Sequence, residues 1–196
     1  MCADHPPFIS DFQFTLPPWI NAVVKGWPET VDDSEARMAL AIDLARRNIE
    51  HGGGPFGAVV FEAETHRWLA PGVNLVLDTR WPAGHAEVVA LTLARQTLEI
   101  QGRPDTPLEL VTSCEPCLMC MGATLWFGVD RLLIGARGEE AEAIGFDEGP
   151  KPAQWEAALR QRGISVQRDL CRGEAAALFA QYQSQSGVVY NRGRLS

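Results

Sequence analysis

"LELVTSCEPCLMCMGATLWFG" (residues 108–128) changes character partway along. Leu108–Thr112 is a short apolar run containing Val and Thr, which predicts a strand. Residues 117–128 predict a helix. Pro116 suits the start of that helix, because a helix start leaves its N–H groups unpaired in any case. A strand that runs directly into a helix puts the residues of the junction at one edge of a sheet. Here the junction carries Cys114, Cys117 and Cys120, each three apart.

Outward from this stretch, strands and helices alternate. "RLLIGA" (131–136) reads as the next strand, and upstream "AEVVALTLARQTLEI" (86–100) is a helix with Val88, Leu91, Ala94 and Leu98 on one side. "FGAVVFEA" (56–63) reads as a strand and "WLAPGVNLVL" (68–77) as its antiparallel partner, with a Pro-Gly kink. The first helix spans Ser34 to Glu50, with Ser34 as N-cap, "HGGG" (51–54) as its stop, and a stripe of Met38, Ile42, Ala45 and Ile49. Trp155–Arg162, Ser165–Arg168 and Gly173–Ser186 follow as helix, strand and helix. Such alternation implies a mixed sheet with helices on its faces. Residues 1–33 read as an irregular lead-in rich in Pro and aromatic residues, packed on the domain through Trp19 and Trp27.

The 196 residues suffice for one domain with a sizeable core, and 46% apolar with 21% charged residues is ordinary globular composition. A formal charge of −8 repels nucleic acid and anionic membrane; Arg160, Arg162, Arg168 and Arg172 are the residues from which a local basic patch would be built. No stretch approaches the ~20 apolar residues of a membrane helix. The N-terminus, with no Lys or Arg before Lys25, fits neither a signal nor a transit peptide. Five cysteines, three of them in one short window, fit metal ligation in a reducing, cytoplasmic setting better than a disulfide framework.

Cys117 and Cys120 lie in the first turn of the predicted helix, so both sulfurs share a face. "HAE" (85–87) lies where another loop enters another helix. Both helix starts offer unpaired N–H groups and a positive dipole end, which favours thiolate over thiol. Two helix starts facing each other bring His85 within reach of both cysteines, and a His-Cys-Cys tripod suits zinc (Zn²⁺). Glu87 is then a carboxylate beside the open position. The alternative is a closed structural site with Cys114 as fourth ligand, which leaves Glu87 without a role; a buried inert thiol is the commoner state for such a cysteine. Cys2 and Cys171 read as ordinary thiols, and His5, His51 and His66 lack ligand spacing. The open tripod lowers the pKa of bound water from about 15.7 towards about 7. Glu87 is placed to take up the proton released.

H-x-E followed by P-C-x-x-C is the signature of zinc nucleobase deaminases. With "GGPFGAVV" (53–60), Asn74, "MGATLW" (121–126) and "AIGFDEGP" (143–150), the chain resembles the cytidine deaminase-like superfamily and, within it, the bacterial guanine deaminases. The resemblance implies a three-layer α/β/α fold around a central mixed five-stranded sheet, with a zinc-dependent deaminase domain over residues 34–186. It implies that His85, Cys117 and Cys120 bind zinc and that Glu87 is the proton shuttle. Glu148 is implied to contact the substrate amine and help ammonia leave, Asn74 to hydrogen-bond the base and Phe56 to pack on the purine. Ala86 and Trp126 are implied to line the pocket, and Tyr190, in the tail of residues 187–196, to serve as a lid. The implied reaction is hydrolysis of guanine to xanthine and ammonia, in a homodimer for which exchange of C-terminal segments between subunits is one arrangement.

The rival substrate within the same superfamily is a tRNA adenosine. An RNA partner calls for basic surface, whereas Glu139, Glu140, Glu142, Asp147 and Glu148 place five carboxylates near the expected pocket rim. A triazine amine such as ammeline, or another aminopurine, suits the same two carboxylates. A non-catalytic zinc module is the third class.

Overall fold

The computed structural model describes residues 11–191. Cys2, His5 and the end of the expected lid, residues 192–196, lie outside them. The lead-in contains a helix, α1 (Pro18–Val24), where an irregular segment is expected. Paired prolines look like breakers, but Pro18 occupies the first helical turn, where its missing N–H costs nothing. Helix α2 (Ser34–Glu50) has the expected span with a different cap: Asp33 accepts the Ala36 N–H at 2.9 Å, and Ser34 is already helical.

Strands β1 (Gly57–Glu62) and β2 (Trp68–Val73) pair antiparallel. β2 ends before its apolar run does, because Asn74 turns its Oδ1 to the Val76 N–H at 3.1 Å and a short helix, α3 (Val76–Thr79), follows. The expected Pro-Gly kink is absent: Pro71 and Gly72 stay in register with Val59 and Ala58. Gly72 serves close packing instead, since a Cβ there would stand 2.2 Å from the Ala86 carbonyl oxygen.

Helix α4 (Ala86–Ile100), strand β3 (Leu108–Cys114), helix α5 (Leu118–Trp126) and strand β4 (Val129–Ala136) follow. β3 runs beyond Thr112 because its ladder with β4 continues to Cys114↔Ala136. Helix α6 (Gly138–Ala143) is additional to the expected elements; the Glu140 carboxylate caps it by accepting the Arg137 N–H at 2.5 Å. Helix α7 (Trp155–Gln161), strand β5 (Ser165–Gln167) and helix α8 (Arg172–Ser184) complete the succession.

The sheet order is β2-β1-β3-β4-β5, with β1 antiparallel to both neighbours and β3, β4 and β5 parallel. On one face Met38, Ile42 and Leu44 of α2 pack with Phe179 and Tyr182 of α8. On the other, Leu91 and Leu98 of α4 and Leu159 of α7 cover Leu110, Leu132 and Ile134. The three-layer α/β/α arrangement with a mixed five-stranded sheet is thus the expected one. Each such apolar side chain contributes about 1.5–3 kcal/mol when buried, and β3, buried along its whole length, is the spine of the core.

Because β1 opposes both neighbours, its beginning lies at the same sheet edge as the ends of β2 and β3. Phe56, Asn74 and Glu115 therefore converge at that edge. The N-termini of α4 and α5 open there as well.

Candidate active site

His85 is the N-cap residue of α4, Cys117 is that of α5, and Cys120 lies in the first turn of α5. The Cys117 and Cys120 sulfurs are each 3.5 Å from His85 Nδ1, and the three ligand atoms lie within 4.8 Å of one another. Zinc with bonds of about 2.3 Å to sulfur and 2.0–2.1 Å to nitrogen, at a tetrahedral angle, separates those atoms by roughly 3.5 Å. The donor set fits zinc, with Nδ1 as the ligating nitrogen. The Cys117 thiol is lowered to about 4, chiefly by a hydrogen bond from Cys120; burial opposes this and His85 reinforces it. Cys114 is not part of the group: its Sγ lies 3.8 Å from the Arg137 carbonyl, and burial pushes its thiol well up.

Glu87 and Glu148 are each only 6% exposed. Burial, then the charge of Cys117, raises the Glu87 carboxyl above its ordinary range. The same two causes in the same order push Glu148 up to about 8, with Lys151 opposing. A carboxyl that keeps its proton near neutrality is a donor as well as an acceptor. Lys151 Nζ stands 3.7 Å from Glu148 Oε2 and 2.6 Å from Glu115 Oε1, and Arg168 donates to Glu115 Oε2 at 2.5 Å. This chain of polar contacts ties the loop carrying Glu148 to the loop that precedes Cys117.

Both carboxylates, His85 and Cys117 line a cavity of about 120 Å³. Its apolar wall includes Phe56, Phe146 and Tyr190, with Phe146 edge-on to Phe56 at 5.1 Å and to Tyr190 at 5.2 Å. The volume is below the ~300–1,000 Å³ of sites for drug-sized ligands and suits one small ring system. Asn74, 1% exposed, lies behind this lining rather than on it. With its Oδ1 committed to Val76, its Nδ2 is a buried donor that, like the Tyr190 hydroxyl, makes no well-formed hydrogen bond. The two meet at Gly54, where a Cβ would stand 2.1 Å from the Tyr190 hydroxyl and 3.3 Å from Asn74 Cγ.

Two expected lining residues are elsewhere. Trp126 is 90% exposed, because it ends α5 on the side turned away from the sheet. Ala86 is fully buried among the apolar residues between α4 and the sheet, with no side-chain contribution to the cavity. Of the five acidic residues expected at the rim, Asp147 and Glu148 line the cavity, Glu140 pairs with Arg172, and Glu139 and Glu142 are exposed on α6. The arginines of the expected basic patch are mostly paired: Arg160 with Glu156, Arg168 with Glu115, Arg172 with Glu140.

Other functional residues carry no motif. Asn48 of α2 donates to the Gly54 carbonyl at 2.9 Å and the Asn74 carbonyl at 3.0 Å, clamping the two segments that meet behind Tyr190. Its one signal in the sequence is an amide beside the buried stripe of α2. Asn191 accepts the Asp147 N–H at 2.9 Å and donates to the Gly145 carbonyl at 2.8 Å, fastening the tail to the loop that bears Glu148. Arg80 and Pro82 supply the outer wall.

Residues 31–136 match the family model of the cytidine and deoxycytidylate deaminase zinc-binding region. The chain is 36% identical over 115 residues to the guanine deaminase of Bacillus subtilis, covering 58% of this chain and 71% of that protein. It is 33% identical over 111 residues to the tRNA-specific adenosine deaminase of Haemophilus influenzae, covering 57% and 62%. The solved guanine deaminase from Nitrosomonas europaea superposes with a TM-score of 0.83 at 40% identity, over 91% of this chain and 99% of that one. A related structure in complex with 2,6-diaminopurine gives 0.83 at 43% identity, over 91% and 96%. Among the described residues no helix is long and apolar enough to cross a membrane. The matched region contains all three zinc ligands together with Glu87, and the chain belongs to the cytidine and deoxycytidylate deaminase family.

Proposed function

We propose that this deaminase hydrolyses the C2 amine of guanine to give xanthine and ammonia. The observation that carries the reading is the buried Glu148, which shares a cavity with Glu87 and with His85 and Cys117 of the zinc tripod. Two carboxyl groups beside one metal provide for proton delivery to the ring and for departure of the amine. The relatives named above as guanine deaminases support the choice of base.

Zinc, which His85, Cys117 and Cys120 would hold, would supply the Lewis acidity that activates a water near neutral pH. Glu87 takes up the proton given off and delivers it to the ring nitrogen next to the attacked carbon. Glu148 hydrogen-bonds the exocyclic amine and passes to it the proton of the hydroxyl added at C2, so that the C2–N bond breaks, ammonia leaves and C2 becomes a carbonyl. Asn74, expected as a donor to the base, is held behind the cavity wall by its Oδ1 bond to Val76, and its Nδ2 has no well-formed partner in the protein. Phe56 and Phe146 flank the ring, and Tyr190, clipped down by Asn191, keeps bulk water out.

The volume of the cavity favours a free base over a nucleoside in RNA, and the net charge of −8 and the paired arginines favour the same choice. The test is ammonia release by purified protein from guanine, adenosine in a tRNA stem-loop, cytidine, 2,6-diaminopurine and ammeline. Guanine should give the highest kcat/KM, and a higher value for any other substrate refutes the choice of base. Glu87→Gln should keep stoichiometric zinc and lose about 10²–10⁴-fold in kcat. Substantial residual turnover would remove the shuttle.

Residues 34–186 are taken as the deaminase domain. Association into a homodimer is favoured by the exposed Trp126 and Met119 on the apolar α5, and light scattering decides it. Tyr190 lines the cavity of its own chain, which favours a tail that stays with its own site. Free cysteines around a thiolate metal site favour the cytoplasm.

A further inference from the structure

Residues 11–16 precede the region that the family model covers, yet two of them pack on Trp81, whose chain neighbours Arg80 and Pro82 line the cavity. The Phe12 and Phe14 rings both pack on Trp81, with centroids 5.1 Å away in each case, one tilted by 56° and the other stacked at 25°. Trp81 lies in turn on Gly84: a Cβ there would stand 2.9 Å from ring atom Cε3. Trp81 therefore sits between the lead-in and the residue just before the zinc ligand His85.

The loop that Trp81 belongs to has two unequal halves. Gly84 and His85 are held by backbone bonds, with the Leu75 N–H reaching the Gly84 carbonyl at 2.7 Å and the His85 N–H the Ala83 carbonyl at 2.8 Å. Arg80 and Pro82, which line the cavity, are exposed. Arg80 also takes the left-handed conformation, φ 55°, which disfavours any side chain. What anchors this half is the residue between them, through the Trp81 ring, its N–H to Thr79 Oγ1 at 3.2 Å, and its carbonyl, which accepts the Gly84 N–H at 2.9 Å.

We propose that the N-terminal segment is a strap for the substrate pocket, in which Phe12 and Phe14 seat Trp81 and Trp81 sets where Arg80 and Pro82 stand against the bound base. Trp81 is a positioning residue in this scheme. Since His85 is anchored separately, the strap governs binding of the base and leaves zinc and proton transfer alone. Only its kinetic consequence rests on the guanine reading.

The test uses full-length, zinc-loaded protein and the variants Phe12→Ala, Phe14→Ala, Trp81→Ala and Trp81→Phe. Phe12, 58% exposed, can lose its ring at little cost to folding, so one variant remains informative should the others fail to fold. The first readout needs no substrate: amide hydrogen exchange of the peptide spanning residues 78–84 should quicken in every alanine variant and stay near wild type in Trp81→Phe. The second is kinetic: KM for guanine should rise by about 2- to 10-fold for each aromatic ring removed, with kcat within about twofold and zinc content unchanged. A merely structural role would lower the melting temperature while KM stays put. Unchanged exchange, a loss confined to kcat, or loss of zinc would each overturn the strap. If wild-type protein does not act on guanine, the functional reading fails, and the exchange data alone judge the strap.

Discussion

Cys114→Ala separates an open catalytic tripod from a closed four-ligand site. The substitution removes one sulfur atom from a residue 2% exposed at the end of β3. Losing a buried group of that size costs about 0.8 kcal/mol in transfer and roughly half as much again for the space left behind. The weak bond from Sγ to the Arg137 carbonyl, at 3.8 Å, adds little, because that carbonyl also accepts the Glu140 N–H at 3.1 Å. The expected cost is therefore about 1–1.5 kcal/mol, or roughly 2–6 °C in melting temperature for a chain of this size. Zinc should stay at one per chain by elemental analysis, and kcat/KM for guanine should stay within about twofold. Cys117→Ala in parallel should lose both, since that sulfur is one of the three clustered ligand atoms. Zinc lost from Cys114→Ala would show that the cysteine ligates and would refute the open site.

Glu148→Gln should retain zinc and lose about 10²–10³-fold in kcat on guanine; an unaffected variant would remove the main structural reason for preferring that base. Gly54→Ala places a Cβ 2.1 Å from the Tyr190 hydroxyl, so the tail must lift. KM should rise and stability fall by about 1–3 kcal/mol, and the penalty should shrink in a Tyr190→Phe background; equal penalties in both backgrounds would exclude the clash. Glu62 is held near 2: burial works against this, but hydrogen bonds from Arg103, Arg67 and Thr65 outweigh it. A depressed carboxyl stabilises the fold above its ordinary ~4.3 and loses that contribution as pH falls towards 2. Two units correspond to a ceiling near 3 kcal/mol, which the partial exposure of both arginines reduces to about 1–2. Urea unfolding of Glu62→Gln should show that loss at pH 7 and a shrinking one below about pH 4; the same difference at pH 7 and pH 3 would contradict the assignment.

The elements that carry long regular patterns were legible one by one. The stripe of α2, the amphipathic α4 and the strand-to-helix run of β3 and α5 each follow from local periodicity, which a single chain segment carries within itself. The short pieces were not: α1 hides behind prolines, and α6 depends on a cap whose partners lie three residues apart in an acidic run. The zinc ligands were readable because metal chemistry demands soft donors at fixed spacing, and "HAE" and "CLMC" state that demand outright.

What the tertiary structure decided is which residues near those motifs matter. The sequence already sets Cys114 apart as an inert thiol, and the pairing of β3 with β4 through Cys114 is what keeps that sulfur on the strand, away from His85. Trp126 sits beside the ligand helix in sequence and faces out of the protein, because helical rotation, not proximity along the chain, sets direction. Asn48, Lys151, Asn191 and Trp81 act across separations of tens of residues or through a single hydrogen bond, ion pair or ring stack. Such pairings leave no period in the sequence. By itself the sequence determined the chemistry of the site, since ligands and carboxylates are residue types at set spacings. The shape of the space around them was decided only when the antiparallel β1 brought the beginning of one strand and the ends of two others to a single edge.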